Sequence, residues 1–324
     1  MILKLDKTTL GKKRRHVYNR AFSLIEISVV LLIVGLLVAM ISGTTTFINK
    51  TKLVKAVTLT KNAPVLDIND LVFWYEPVLQ SSFDEGVKDG DLVVNWYDQN
   101  SKSYDKINLT QPTSTRQPKY VKDGINGLPT VEFYHNNQNN CIQSPPLSLF
   151  IREKHTIFLV VKSTNSSQAQ EILKIHESLG GENTKGTLVL IRLQNNSGKK
   201  IRYFFRADLG NGSSGGEDVY SSNISNNVNS IIRVTRKDSL DGLNIWFNES
   251  QVITNDNSSG GNHGNTQKTN IAITLSGGRC QPGNYSASFR GYISEVIFYN
   301  RVLKNSEIID IENYLSKKYS IAIE

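Results

Sequence analysis

Proline is missing from the first 63 residues of this 324-residue chain. No helix breaker of that kind stands before Pro64, so one uninterrupted helix can run up to it. Beyond about residue 67 there is no Pro-rich or charged linker, which favours one domain over two for the remainder. Paired histidines are missing as well. His16, His135, His155, His176 and His263 show no spacing suited to a metal, so isolated surface or loop histidines are the default reading. Acids are scarce at the start: residues 1–21 hold seven Lys or Arg against Asp6 alone, a leader of +6 in a chain of +8. What remains is +2, which gives little support to a nucleic-acid partner.

What the opening does hold is a long apolar run. Between Ile27 and Ile41 only Ser28 is polar, and with its edges the run reaches about 20 residues, the length of a spanning helix. Ser42-Gly43-Thr44 is a poor match to the small-x-small site of a cleaved secretory signal, the competing reading. Basic residues beside an apolar span keep that flank in the cytoplasm. The expectation is therefore a single-pass protein of the bacterial inner membrane, its C-terminal body in the periplasm. One carboxylate, Glu26, sits inside the run, where a charge is costly.

The segment Arg20-Ala21-Phe22-Ser23-Leu24-Ile25-Glu26 resembles the processing site of type IV prepilins and the related secretion pseudopilins. That resemblance implies cleavage between Ala21 and Phe22 by a prepilin peptidase, methylation of the new Phe22 amino group, and assembly with other pilin or pseudopilin subunits. The family usually has Gly where this chain has Ala21. In a filament, a neighbour's Phe22 amino group would supply the countercharge for Glu26, making the pair a registry device. The competing reading leaves Glu26 at the headgroup level. Past the run, Phe47, Ile48, Val54, Val57 and Leu59 alternate with lysines, so the helix is expected to continue to about Asn62. Its threonines and β-branched residues make that half a weak helix former without a body to pack on.

The texture then changes to short β segments separated by Asn, Gly, Ser and Asp. Segments 71–75, 93–97, 130–134, 156–162, 187–193, 201–206, 230–235, 243–247, 270–275 and 292–299 read as strands. The unbroken run Ile157-Phe158-Leu159-Val160-Val161 suits a strand buried on both faces. Residues 306–319 read as a short closing helix, with Ile308, Ile311 and Leu315 on one face, Asn305 or Ser306 as cap, and Lys317-Lys318 at the negative end of the dipole. The opening Asp70-Leu71-Val72-Phe73-Trp74-Tyr75 and the ending Gly291-Tyr292-Ile293-Ser294-Glu295-Val296-Ile297-Phe298-Tyr299 resemble bacterial concanavalin A-like (laminin-G-like) jelly-roll domains. The expected fold class is therefore mainly β: a leader (1–21), a transmembrane and stalk helix (22–63), and an antiparallel jelly-roll sandwich with a short C-terminal helix (64–324). Fold of this kind does not settle function.

Several residues are candidates for chemistry. Cys141 and Cys280 both lie in the body, where an oxidising periplasm favours a bridge; closing a loop of that length is worth ~4–5 kcal/mol on chain-entropy grounds. Two separate thiols are the alternative. Gly210-Asn211-Gly212-Ser213-Ser214-Gly215 and Gly212-Ser213-Ser214-Gly215-Gly216 match phosphate-loop and nucleophile-elbow patterns without the strand–helix setting either needs. Retaining glucanases of the concanavalin type carry two Glu in an E-x-D-x-x-E pattern; no E-x-D occurs here, so a non-enzymatic role is expected. Trp74, Trp96 and Trp246, with Tyr75 and Tyr97, can stack on sugar rings but fall in strand patterns, where core is the commoner fate. Asp84, Asp89 and Asp91 offer a calcium loop or a solvated turn; no other cofactor is indicated. Asn-rich segments 136–140, 223–229 and 255–265 are expected recognition surfaces. The functional expectation is a minor pilin or pseudopilin-like subunit of a type IV pilus or type II secretion system, carrying a lectin-like head for adhesion, on a pilus or cell surface. The alternative is a non-polymerising, membrane-anchored glycan-binding module.

Overall fold

The computed structural model describes residues 23–134, 139–164, 169–177, 186–195, 198–206, 217–237, 242–248, 250–254, 266–277, 280 and 287–323. The chain divides into two compact units, the division falling between Ile48 and Asn49. The helix expected from the missing prolines forms as α1 (Leu24–Lys61), 38 residues long. It stops ahead of Pro64, where Ala63 is extended (ψ 139°) and Pro64–Leu66 close one 3₁₀ turn.

The transmembrane part of the expectation does not hold. Among the described residues, no helix is long and apolar enough to cross a membrane. Single-pass anchoring in the bacterial inner membrane, and that membrane as a partner, fall with it.

Among the described residues the body contains β1 (Leu71–Tyr75), β2 (Asn95–Trp96), β3 (Leu109–Thr110), β4 (Lys119–Ile125), β5 (Leu128–Phe133), β6 (Ile142–Gln143), β7 (Leu147–Ile151), β8 (His155–Ser163), β9 (Gln170–Glu177), β10 (Thr187–Asn195), β11 (Lys199–Phe205), β12 (Glu217–Tyr220), β13 (Ser230–Arg236), β14 (Leu243–Phe247), β15 (Ser250–Thr254), β16 (Thr266–Leu275) and β17 (Gly291–Tyr299), then α2 (Asn305–Tyr319). They form two sheets. One runs β15-β14-β13-β8-β17-β5-β4 with β1 added on β17; the other runs β12-β11-β10-β9-β16-β6-β3-β2 with β7 added on β16. Strand pairs such as β8–β17 and β9–β10 are antiparallel. The expected antiparallel two-sheet sandwich is thus the fold of the body.

Alternation along the strands sorts side chains into two cores. Between the sheets lie Phe73, Trp96, Ile157, Leu159, Ile175, Ile191, Tyr203, Val234 and Phe298. On the outer face of the first sheet, Trp74, Phe158, Val160, Ile231 and Ile297 pack with Ala56 of α1, Val65, and Ile308, Ile311 and Leu315 of α2. A helical layer therefore covers this sheet, and β8 is apolar on both faces because both are buried. α2 begins one residue before the expected start. Its cap is the Glu307 carboxylate, which accepts the Lys304 N–H at 2.7 Å, not the Asn305 or Ser306 side chain. At the head of β17, Gly291 (φ 146°) lies where a Cβ would come within 2.0 Å of the Lys162 carbonyl oxygen, so only glycine permits that pairing. Cys141 and Cys280 are joined, with Cα atoms 5.8 Å apart.

A buried ionic cluster ties the helical layer to the sheet. Lys318 Nζ of α2 lies 2.8 Å from Glu295 Oε2 and 3.2 Å from Glu76 Oε2, and all three side chains are sealed from solvent. Glu295 also accepts from Trp74 Nε1 (2.8 Å), Tyr314 OH (2.8 Å) and Tyr319 OH (2.9 Å). Glu76 accepts the Val78 and Leu79 N–H groups and the Ser82 hydroxyl.

Two histidines that sequence assigned to surface or loop are buried instead. His176 bonds Thr274 through Nε2. His155 sits between the sheets, completely buried, against Phe205 and Phe298. Its Nδ1 faces the Arg152 carbonyl at 3.0 Å, so that nitrogen carries the proton; its Nε2 lies 2.6 Å from Tyr203 OH. Burial, with Arg236 nearby, pulls His155 down to about 3. His16, His135 and His263 lie outside the described residues.

Replacing Lys318 by Ala leaves two buried carboxylates without their ammonium, and should cost ~3–5 kcal/mol in urea unfolding. His155 stays neutral in the fold while the unfolded chain takes its proton below its ordinary value of 6.5. Its contribution to stability is therefore present above that value and lost as pH falls toward 3. Between pH 7 and pH 5 the native chain should lose about 2 kcal/mol more than His155→Gln, read as the difference in unfolding free energy at the two pH values.

Candidate functional site

The first sheet is not covered evenly. α2 lies over its middle, and toward β14 and β15 a cleft of ≈ 420 Å³ opens between helix and sheet. Alternation builds its floor. On β13, Ile232 and Val234 turn into the inter-sheet core, so Arg233 and Thr235 face outward. On β14, Leu243 and Ile245 turn inward, and Asn244 and Trp246 face outward. Pairing sets Arg233 opposite Trp246 and Thr235 opposite Asn244. Trp246 in turn lies opposite Gln251 of β15. Ile308, Ile309 and Glu312 of α2 form the wall.

The guanidinium of Arg233 stacks 4.8 Å from the centre of the Trp246 ring and forms a 3.1 Å ion pair with Glu312 Oε1. Gln251 Nε2 donates to Asn244 Oδ1 at 2.8 Å. Burial lowers the Arg233 pKa and raises that of Glu312, and their mutual attraction opposes both shifts. Two buried atoms of the floor have no hydrogen-bond partner in the protein: Arg233 Nε and Thr235 Oγ1. Both residues are at least nine-tenths buried, with exposures of 9% and 4%. Native chains seldom leave such groups unmet, since each costs ~1–3 kcal/mol. The cleft thus offers a half-buried aromatic face, a donor, a hydroxyl and side-chain amides, a set suited to an amphipathic, hydroxylated ligand.

The other candidates fall elsewhere. Trp74, Trp96 and Tyr75 are buried and their polar atoms are spent, Trp96 Nε1 on the Glu76 carbonyl at 3.2 Å and Tyr75 OH on the Ile107 carbonyl at 2.6 Å. Tyr97 is half-buried and donates to Asp84 Oδ1 at 2.6 Å. Asp84, Asp89 and Asp91 do not converge. Asp84 takes Asn95 and Tyr97, Asp89 accepts the Lys122 N–H, and Asp91 accepts the Lys88 N–H. Among the described residues no group of three or more His, Cys, Asp or Glu is arranged to hold a metal. Glu76 and Glu295, which share Lys318, have no access to solvent. Glu26 Oε2 accepts the Ser23 N–H at 2.8 Å, a local task at the start of α1. Ala21, Phe22, the 210–216 glycine patterns and segment 255–265 lie outside the described residues. Of segment 136–140, Asn139 and Asn140 are described; Asn140 is buried and bonded to the Gln117 carbonyl.

Sequence reasoning treated the three tryptophans alike. Local sequence does not set Trp246 apart, since Trp96 also follows an Asn and precedes a polar run, Asp98-Gln99-Asn100.

No protein-family model matches the chain, and no curated protein does. Solved structures with a similar fold include domain 4 of AbnA, a GH43 extracellular arabinanase from Geobacillus stearothermophilus, in complex with arabinotriose. It is 14% identical, covers 75% of this chain and 98% of its own, and has a TM-score of 0.45. The CBM40 of a Ruminococcus gnavus IT-sialidase bound to α2,3 sialyllactose is 17% identical over 50% of this chain and 83% of its own, with a TM-score of 0.34. Trypanosoma rangeli sialidase in complex with sialic acid is 12% identical over 78% of this chain and 34% of its own, with a TM-score of 0.43. At these identities and TM-scores the likeness decides neither ligand nor activity.

Proposed function

We propose that the sandwich is a carbohydrate-recognition head that binds without turning over its ligand, and that the cleft beside Trp246 is its site. The observation that carries this reading is the pairing of a half-buried indole ring with two buried, unpartnered polar atoms, Arg233 Nε and Thr235 Oγ1, on one floor. A sugar ring presents an apolar face for stacking and hydroxyls that both donate and accept, which answers both features. Binding without turnover is supported by the missing E-x-D pattern and by the sealing of Glu76 and Glu295.

A separate observation favours an assembly role for the leading helix, of the pilin or pseudopilin kind. Between Leu24 and Val38 the large apolar side chains point out on every side of the helix, with exposures of 48–87%. A helix that is apolar all round needs cover. Helices of other copies of this chain supply matching surfaces, and Glu26 near the end of the stretch can set their register.

A glycan array probed with the full chain should return ligands, and Trp246→Ala should weaken the strongest of them by roughly tenfold or more in titration calorimetry. Empty arrays, or binding indifferent to Trp246, would sink the head reading. Sedimentation of the full chain should give assemblies that the double change Ile33→Asp, Leu36→Asp reduces to monomer; a native chain already monomeric at micromolar concentration would refute the helix reading.

A further inference from the structure

The Trp246 cleft does not end at Trp246. Asn248, the residue after β14, lines both this cleft and a second hollow of ≈ 590 Å³. The chain after α2 walls both: Ile323 lines the first, Ser320 and Ile321 the second. The second hollow is bordered by side-chain amides. Asn229 Nδ2 donates to Asn126 Oδ1 at 2.6 Å, Asn126 Nδ2 donates to the Tyr319 carbonyl at 2.7 Å, and Asn248 Oδ1 accepts the Ile231 N–H at 2.7 Å. These bonds brace the rim and leave Asn229 Oδ1 buried without a partner.

The three unpartnered atoms follow one line. Asn229, Arg233 and Thr235 are separated by even numbers of residues, so they lie on the same face of β13 and its leading residue. From Asn229 to Thr235 is about 20 Å at ~3.4 Å per residue. That is longer than any single sugar ring. The line passes Arg233 and Trp246, which are opposite each other in the sheet.

We infer that the two hollows are one groove, and that it takes a linear, hydroxyl-rich oligosaccharide lying along β13 and β14, with one unit on Trp246 and the far end against Asn229 and Asn227. This rests on the glycan reading of the Trp246 cleft and adds the length and direction of its ligand. Four side-chain amides, Asn126, Asn227, Asn229 and Asn248, line the second hollow, and an amide both donates and accepts, as vicinal hydroxyls do. Lys237 in the first hollow and Lys162 in the second flank the groove, so acidic groups on the chain are tolerated at either end.

The test is calorimetric titration of the full chain with ladders of cello-, manno- and arabino-oligosaccharides from monosaccharide to hexasaccharide. For the ladder that binds, affinity should rise at least tenfold with chain length before levelling off. Asn227→Gly removes a rim side chain while keeping the left-handed backbone that Asn227 adopts (φ 55°). Ser250→Ala trims the same hollow. Each should lower the affinity of long chains toward that of short ones and leave short-chain affinity unchanged, whereas Trp246→Ala should weaken all lengths. Affinity that depends on Trp246 but not on length would overturn the extended groove and leave the glycan site standing. Absence of binding by every ladder and by the array would remove the glycan reading itself.

Discussion

The ammonium of Lys318 joins three distant parts of the chain at one dry point: Glu76 after β1, Glu295 within β17, and α2, which carries the lysine itself. Burying one ammonium and two carboxylates is expensive unless every lone pair and proton is used. Here they are. Glu295 gathers an indole N–H, two phenol hydroxyls and the ammonium; Glu76 gathers two backbone N–H groups, a serine hydroxyl and the same ammonium. Burial holds the Tyr314 and Tyr319 hydroxyls well above their usual pKa, so they remain donors. The cluster can be satisfied only with α2 in one position, whereas the surrounding apolar contacts tolerate small slides.

The position of α2 decides the groove. Tyr314 and Lys318, one turn apart, face the sheet, and that rotation brings Ile308 and Glu312 to the side of β14. Glu312 then meets Arg233, and Arg233 lies on Trp246. The binding surface is therefore downstream of a contact that lies outside it. The chain after α2 continues along the same wall into the second hollow, so one helix placement shapes both halves.

Much of the sandwich was legible because strands buried on one or both faces carry dense β-branched and aromatic residues. Runs such as 157–161 and 292–299 became β8 and β17, at the centre of their sheet. Strands with weaker patterns escaped notice. β9 opens on Gln170-Glu171 and carries Lys174, and β15 is a five-residue edge strand with polar positions. Edge and polar strands owe their pairing to neighbours, which local sequence does not display. The histidines misled for a related reason: a lone His has no periodic signature, and only packing shows that His155 is sealed between the sheets. The apolar run at residues 27–41 was read as membrane-spanning from composition, while among the described residues no helix is long and apolar enough to cross a bilayer.

By itself the sequence determined which strongly patterned segments form strands, where the long helix must stop, and that the chain's positive charge is concentrated in its first residues. These depend on interactions between near neighbours: periodic burial, the restriction that Pro64 places on Ala63, and the local count of charge. Tertiary structure alone decided that Trp246, and neither Trp74 nor Trp96, faces a cleft, that Asp84, Asp89 and Asp91 serve separate donors, and that polar atoms of Asn229, Arg233 and Thr235 stand unmet in a line. The first and last of those outcomes depend on which face of a sheet a distant helix covers. That cover is set by the Lys318 cluster, whose members are up to 242 residues apart in the chain.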